Sequence, residues 1–233
     1  MTSAGPASGS RPDPTAARLQ ARRAGLTVGL ATGLYGISFG ALATASGLSV
    51  LQAQVLSLLM FTGGSQFALV GVLGAGGSGA SAITTATLLG VRNTFYALRT
   101  AQFLNVSGLR RAAAAHITID ESTAVATAQV DVADQRYGFW LTGLTVFVGW
   151  NLMTLAGALA GNALGDPASW GLDAVASAAF LGLLWPRLVA APARVTAALG
   201  AAIAIGLAPH VRPGLPVIAA LAGAIVVAWR VAR

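Results

Sequence analysis

An all-α bundle of membrane helices, with about seven membrane segments and some helices broken or re-entrant, is the fold this sequence predicts. Three observations predict it. Of 233 residues, 55% are hydrophobic and only 9% charged, whereas an ordinary soluble domain is roughly 25% charged. From Ala24 to Val91 there is no Asp, Glu, Lys or Arg; at about 1.5 Å per helical residue that run suffices for roughly three crossings of about 30 Å of hydrocarbon. Within the apolar blocks, Gly-Gly-Ser-Gln and Arg-Asn interruptions put polar groups where lipid tolerates them only inside protein or beside water.

Composition also excludes function classes. The net charge of +7 comes from arginines alone, mostly between apolar blocks, which marks cytoplasmic loops. No basic run interleaved with aromatics suits nucleic acid. With no Cys there is no thiolate nucleophile or disulfide. His116 and His210 are the only histidines, too few for a His-based metal cluster. No metal, no cofactor and no enzymatic activity are therefore expected; an intramembrane enzyme would have only scattered serines and these two histidines to work with.

Residues 1–23, rich in Ser, Gly, Pro and Ala and ending in Arg22-Arg23, read as a disordered cytoplasmic tail. Residues 24–233 read as a single transmembrane domain. Its first span, Ala24 to Ala45, carries Gly25, Gly29, Gly33, Gly36 and Gly40 as a stripe along one face, the pattern of close helix packing. After a turn at Ser46–Ser49 the second span runs from Val50 to Leu73. Here Gly63 and Gly64 invite a helix break that frees backbone groups, and Ser65 and Gln66 add a hydroxyl and an amide at that depth. Broken helices near the midplane are a common way to build a substrate site; small residues that merely let helices pack are the competing reading.

Following a glycine-rich connector, the segment from Ala80 to Leu104 holds Arg92, Asn93, Tyr96 and Arg99 in its second half. Helical spacing places Arg92, Tyr96 and Arg99 on one face. Arg92 lies deep enough to need a cavity or bundle interior, whereas Arg99 can snorkel to the surface. Residues 105–136 form the one long polar passage. Within it Ala112 to Val130 is either a surface helix or a segment that dips inward with Asp120 and Glu121, where partial burial would suit a proton carrier. The remaining segments are Tyr137 to Gly161, Leu172 to Trp185, Val195 to Ala208 and Gly214 to Trp229, the last three bounded by prolines. Trp150, mid-segment, either lines a pathway or packs between helices. Arginine clusters on one side of the membrane require six to eight segments in all, with one near 80–130 re-entrant or an extra crossing at 112–130.

These residues in order resemble the azaleucine-resistance (AzlC-like) permeases, large subunits of branched-chain amino-acid exporters. The resemblance runs through Ser38-Phe39-Gly40, Gly63-Gly64-Ser65-Gln66-Phe67, Val91-Arg92-Asn93 with Tyr96, Asp120-Glu121, the Trp150 span and Gly171-Leu172-Asp173. Gly90 stands where many members carry Asn or Asp, and Ile119 where many carry Thr. The resemblance implies export of branched-chain amino acids, with methionine as a further candidate substrate, across the cytoplasmic membrane with a small AzlD-like membrane subunit as partner. It implies substrate binding by Gly63, Gly64, Ser65, Gln66, Arg92, Asn93 and Tyr96, with proton coupling or gating by Asp120 and Glu121. No Walker-type loop is present, so energy would come from an ion or substrate gradient. A passive channel would share the build but conduct without saturation, and a purely structural subunit would leave buried Arg92 and Gln66 unexplained.

Overall fold

The computed structural model describes residues 14–163, 181–182, 184–185, 188–211 and 215–231. It is an all-α membrane helix bundle, and no strand occurs among the described residues. The segment read from Leu172 to Trp185 and Gly171-Leu172-Asp173 fall almost wholly outside those residues.

Two long apolar rods form the frame. The first joins α1 (Pro14–Leu34) to α2 (Gly36–Ala45) through Tyr35; the second is α9 (Val132–Ala163). The tail expected over 1–23 is helical from Pro14 onward, for two physical reasons. Proline suits the first turn of a helix, and Arg18 anchors that turn. Its Nη1 lies 3.1 Å from Asp134 Oδ1 and 3.2 Å from the Ala133 carbonyl, with the guanidinium 3.6 Å from the centre of the Tyr137 ring.

The rods run parallel, because contacting positions rise together on both. Gly25 lies against Thr142, Gly33 against Gly149, Gly40 against Thr154, and Thr44 against Gly161. A Cβ on Gly33 would stand 3.1 Å from Gly149 Cα, and one on Gly40 would collide with the Thr154 carbonyl. The glycine stripe thus serves a seam within this chain. Close backbone approach of this kind is what small residues permit between membrane helices, where dispersion rather than water exclusion drives association.

The segment expected as a second span does not cross. Ser49 starts α3 (Val50–Leu59) with a reciprocal cap, its Oγ accepting from the Gln52 N–H (3.2 Å) while Gln52 Oε1 accepts from the Ser49 N–H (2.8 Å). The helix stops at Met60–Thr62, and α4 (Gly63–Gly74) turns back until Gly74 lies beside Ser46, where the segment began. The break falls at Met60-Phe61-Thr62, just ahead of the expected glycines, which form the first turn of α4 instead. From there α5 (Gly79–Gly90) descends antiparallel to α4, with Leu89 near Gly64 and Gly90 near Ser65.

The run from Ala80 to Leu104, expected as one segment, bends instead at Val91 into α6 (Arg92–Leu104). Its far end reaches the start of α9, where Arg136 Nε donates to the Phe103 carbonyl at 2.6 Å. Arg18 and Arg136 therefore share one end of the bundle with the end of α6 and the start of α7 (Gly108–His116), which carries Arg110 and Arg111.

A second reversal follows. Ile117, at the end of α7, packs on Gly143, and Val125 of α8 (Asp120–Thr127) packs on Gly138, so the chain goes inward along α9 and comes out again. Of the two readings of Ala112 to Val130, this is the inward dip, but as two short helices separated at Ile117–Ile119. Helices α10 (Ala191–Leu207) and α11 (Leu215–Val231) pack on each other where Gly223 meets Leu199 and Gly200.

Candidate functional site

The two reversals meet halfway along the rods around a cavity of about 250 Å³. The α3–α4 tip supplies Phe61, Gly63 and Gly64, and the α7–α8 tip supplies Ile119, Asp120 and Glu121. Arg92 enters from the α5–α6 bend, with Thr32 and Tyr35 from the first rod and Val146 and Trp150 from α9 completing the frame. The tips touch: the Phe61 ring centre is 6.1 Å from that of His116, and both rings abut Phe147 (5.1 and 5.5 Å).

The open end of α4 has the chemistry of an anion cradle. Its Ser65 and Gln66 N–H groups both donate to the Thr62 carbonyl (2.8 and 3.2 Å). The N–H groups of Gly63 and Gly64 precede these at the positive end of the helix dipole. Because Gly64 has no side chain, the Arg92 guanidinium lies against this helix end; a Cβ there would be 2.9 Å from Nη2. A Cβ on Gly63 would be 3.2 Å from the Trp150 ring. Trp150 is buried, held by Phe39 (6.0 Å, stacked) and Phe67 (6.1 Å, edge-on), and its Nε1–H has no partner among the described residues.

Across the cavity, Asp120 and Glu121 occupy the first turn of α8, a favourable place for carboxylates. Asp120 Oδ1 faces Arg92 Nη2 at 4.0 Å, with both side chains about a quarter exposed (26% and 27%), while Arg92 Nε is buried without a partner among the described residues. Ile119, at the N-cap position of α8, has no side-chain oxygen. Ser122 compensates from within the helix: its Oγ accepts from the Ile119 N–H (3.1 Å) and donates to the Ile117 carbonyl (2.9 Å).

Of the residues singled out in sequence, Gly63, Gly64, Arg92, Asp120 and Glu121 line the cavity. Gln66, Ser65, Asn93 and Tyr96 do not. Gln66 is completely buried and its Nε2 donates to the Leu56 carbonyl at 3.2 Å in the last turn of α3, while its Oε1 has no partner among the described residues. Ser65 is buried beside Gly90, its hydroxyl without a partner among the described residues. Asn93 and Tyr96 are half-buried on α6, which leads away from the cavity below Arg92. Arg99 is exposed and bonds Gln102 Oε1 at 3.0 Å, in keeping with a surface position. Sequence reasoning missed Phe61 and Thr32, along with the apolar lining residues Leu89, Val146 and Leu184. An aromatic residue directly ahead of Thr-Gly-Gly was the available signal for Phe61; nothing local marked Thr32. Among the described residues no group of three His, Asp or Glu side chains could hold a metal ion.

Residues 27–164 match the family model described as AzlC protein. The matched stretch exceeds half of the chain and contains α2 to α9 with the glycine, arginine and carboxylate residues of the cavity. Neither a curated protein nor a solved structure matches this chain.

Proposed function

This chain belongs to the AzlC family, associated with branched-chain amino-acid transport, and from that premise we propose that it is the large subunit of a secondary carrier exporting branched-chain amino acids, methionine included, through the cavity at the two tips. One observation carries the proposal. A small cavity in the middle of a membrane bundle presents an uncharged helix N-terminus and an arginine on one wall and two carboxyls on the facing wall. That polarity suits a zwitterion.

The substrate carboxylate accepts from the Gly63 and Gly64 N–H groups and from Arg92. Its ammonium meets Asp120 and Glu121, and its branched side chain rests on Phe61, Phe67, Val146 and Trp150. The assignment of the ammonium to the carboxyls replaces Gln66, which is completely buried outside the cavity lining. Two adjacent carboxyls repel when both are charged, so the same pair serves as the proton-coupling group. The arginine-bearing end faces the cytoplasm, with the N-terminus inside, and the whole sits in the cytoplasmic membrane beside a small AzlD-like subunit. The 24–233 region acts as one transport domain.

Counterflow of labelled leucine, isoleucine, valine and methionine in proteoliposomes, with and without the small subunit, tests this. Saturable counterflow that is lost in Asp120→Asn is the expected result. No exchange in the complete assembly overturns the substrate class, and conduction without saturation makes the protein a channel instead.

A further inference from the structure

We infer that α1–α4 and α5–α8 are two copies of one unit inserted in opposite orientations, so that the cavity has two walls of common design, each closing it toward a different face of the membrane. Sequence and geometry carry this independently. Ser38-Phe39-Gly40-Ala41-Leu42-Ala43-Thr44-Ala45 and Thr94-Phe95-Tyr96-Ala97-Leu98-Arg99-Thr100-Ala101 share Phe, Ala, Leu, Thr and Ala at identical spacing, with Ser replaced by Thr at the first position. Each stretch begins just beyond a bend in a long apolar path, at Tyr35 in the first and Val91 in the second.

The likeness continues where the chain turns. Gly47 (φ 89°) and Asn105 (φ 46°) are both left-handed. Each is followed by a half-buried apolar residue that packs on the core, Leu48 or Val106, and then by a serine in extended conformation, Ser49 or Ser107, at the N-cap of the next helix. That helix is α3 in one unit and α7 in the other, ten and nine residues long. Both then break over three residues. In the returning helix, Gly63-Gly64-Ser65 of α4 corresponds to Asp120-Glu121-Ser122 of α8, counted from the N-caps Thr62 and Ile119.

The orientations are opposite. The α3–α4 hairpin begins and ends at the Ser46–Gly74 end of the bundle. The α7–α8 hairpin begins after α6 reaches the Arg136 end and returns to α9 at that same end. Their tips meet at Phe61 and His116. Opposed units of this kind equalise the two routes to one central site, because a movement available to one hairpin is available to its counterpart from the other face. The correspondence also assigns the charges. One copy keeps bare helix N–H groups at Gly63 and Gly64; the other has replaced both glycines by carboxylates, which gives a symmetric backbone an asymmetric site.

This inference deepens the transport reading above, and only its gating consequence rests on that reading. The chain contains no cysteine, so single cysteines report cleanly in oriented vesicles of the full-length protein. Ala75→Cys, in the exposed turn after α4, is expected to react with an impermeant maleimide only from one side. Leu109→Cys and Val130→Cys, 90% and 92% exposed in the wild type at the two ends of the α7–α8 hairpin, are expected to react only from the other. Same-sided labelling of Ala75→Cys and Leu109→Cys overturns the inverted repeat, whatever the transport assay gives. At the tips, Phe61→Cys and Ile119→Cys are expected to react with a small charged methanethiosulfonate from both faces; modification confined to one face overturns the pair of gates. If sidedness holds while amino-acid counterflow fails, the transport reading is wrong and the repeat stands.

Discussion

Glycine does two different jobs in this molecule, and the contrast between the seam of the rods and the tip of α4 separates framework from site. Along the seam, Gly33, Gly36, Gly40, Gly149 and Gly157 let two backbones touch, and added side chains would press first on main-chain atoms. At the tip, the neighbours of Gly63 and Gly64 are the ends of the Trp150 and Arg92 side chains. Main-chain atoms cannot step aside without moving a whole helix, whereas a side-chain end can. Substitution in the seam therefore attacks assembly, and substitution at the tip attacks chemistry. Sequence alone shows glycines in both places and no difference between them.

The largest effect is expected at the seam. Gly40→Leu drives a side chain into the Thr154 carbonyl and adjacent Ala158 nitrogen; overpacking typically costs about 1–3 kcal/mol and more where backbone must move, so size-exclusion chromatography in detergent should find little or no folded protein. Survival of a well-folded Gly40→Leu protein would break the comparison.

Next comes the ion pair. Asp120→Ala removes the carboxylate facing the partly buried Arg92, and losing a charged partner costs about 1–3 kcal/mol. Counterflow should vanish with a moderate fall in thermal midpoint, while Asp120→Glu retains part of the activity. Unchanged counterflow in Asp120→Ala would remove the carboxyl wall from the site.

A subtler change sharpens the contrast. Gly64→Ala displaces only the tip of Arg92. The expectation is a fall in transport on the order of 10- to 100-fold, the scale of a small misplacement of a functional group, at nearly wild-type thermal midpoint. An equal loss of stability would put Gly64 with the seam glycines.

The smallest effect is expected beside the tip. Gly90→Asn offers a polar partner to the unpaired Ser65 hydroxyl, since the new Cβ would stand 3.4 Å from Oγ, a close contact to be met by slight adjustment of that hydroxyl. A gain of about 1 kcal/mol, the size of a net hydrogen bond, should raise the thermal midpoint slightly with transport unchanged.

Much of the site was legible before the fold. Glycine in an apolar run marks a break, which falls at Met60–Thr62 immediately before Gly63 and Gly64, and Arg92 lies at the cavity as its depth required. Asp120 and Glu121 enter the bundle as the inward reading of their segment has them. The expected site residues that do not line the cavity share a cause. Gln66 reads as a ligand because a buried amide needs partners; its Nε2 donates instead to the Leu56 and Ser57 carbonyls of α3, and its Oε1 has no partner among the described residues. Tyr96 shares a helical face with Arg92 on spacing alone, yet the bend at Val91 ends the cavity above it. The repeated Phe-x-Ala-Leu-x-Thr-Ala pattern was present in the letters, but nothing equated its two copies until the turns that follow them were seen to match.

By itself the sequence determined the solvent, the helical secondary structure and the break near Gly63-Gly64, because these depend on local composition: apolar runs of sufficient length, glycine in mid-run, proline and arginine at ends. The bends at Tyr35 and Val91 and the break at Ile117–Ile119 were not among its expectations. Only the tertiary structure decided which broken segments cross and which return. That choice is set by contacts between residues far apart in the chain, such as Gly74 with Ser46, Ile117 with Gly143 and Arg136 with Phe103. A helix break frees backbone groups in either case; what satisfies them, and hence which side chains remain to meet a substrate, is fixed by the neighbours that packing brings.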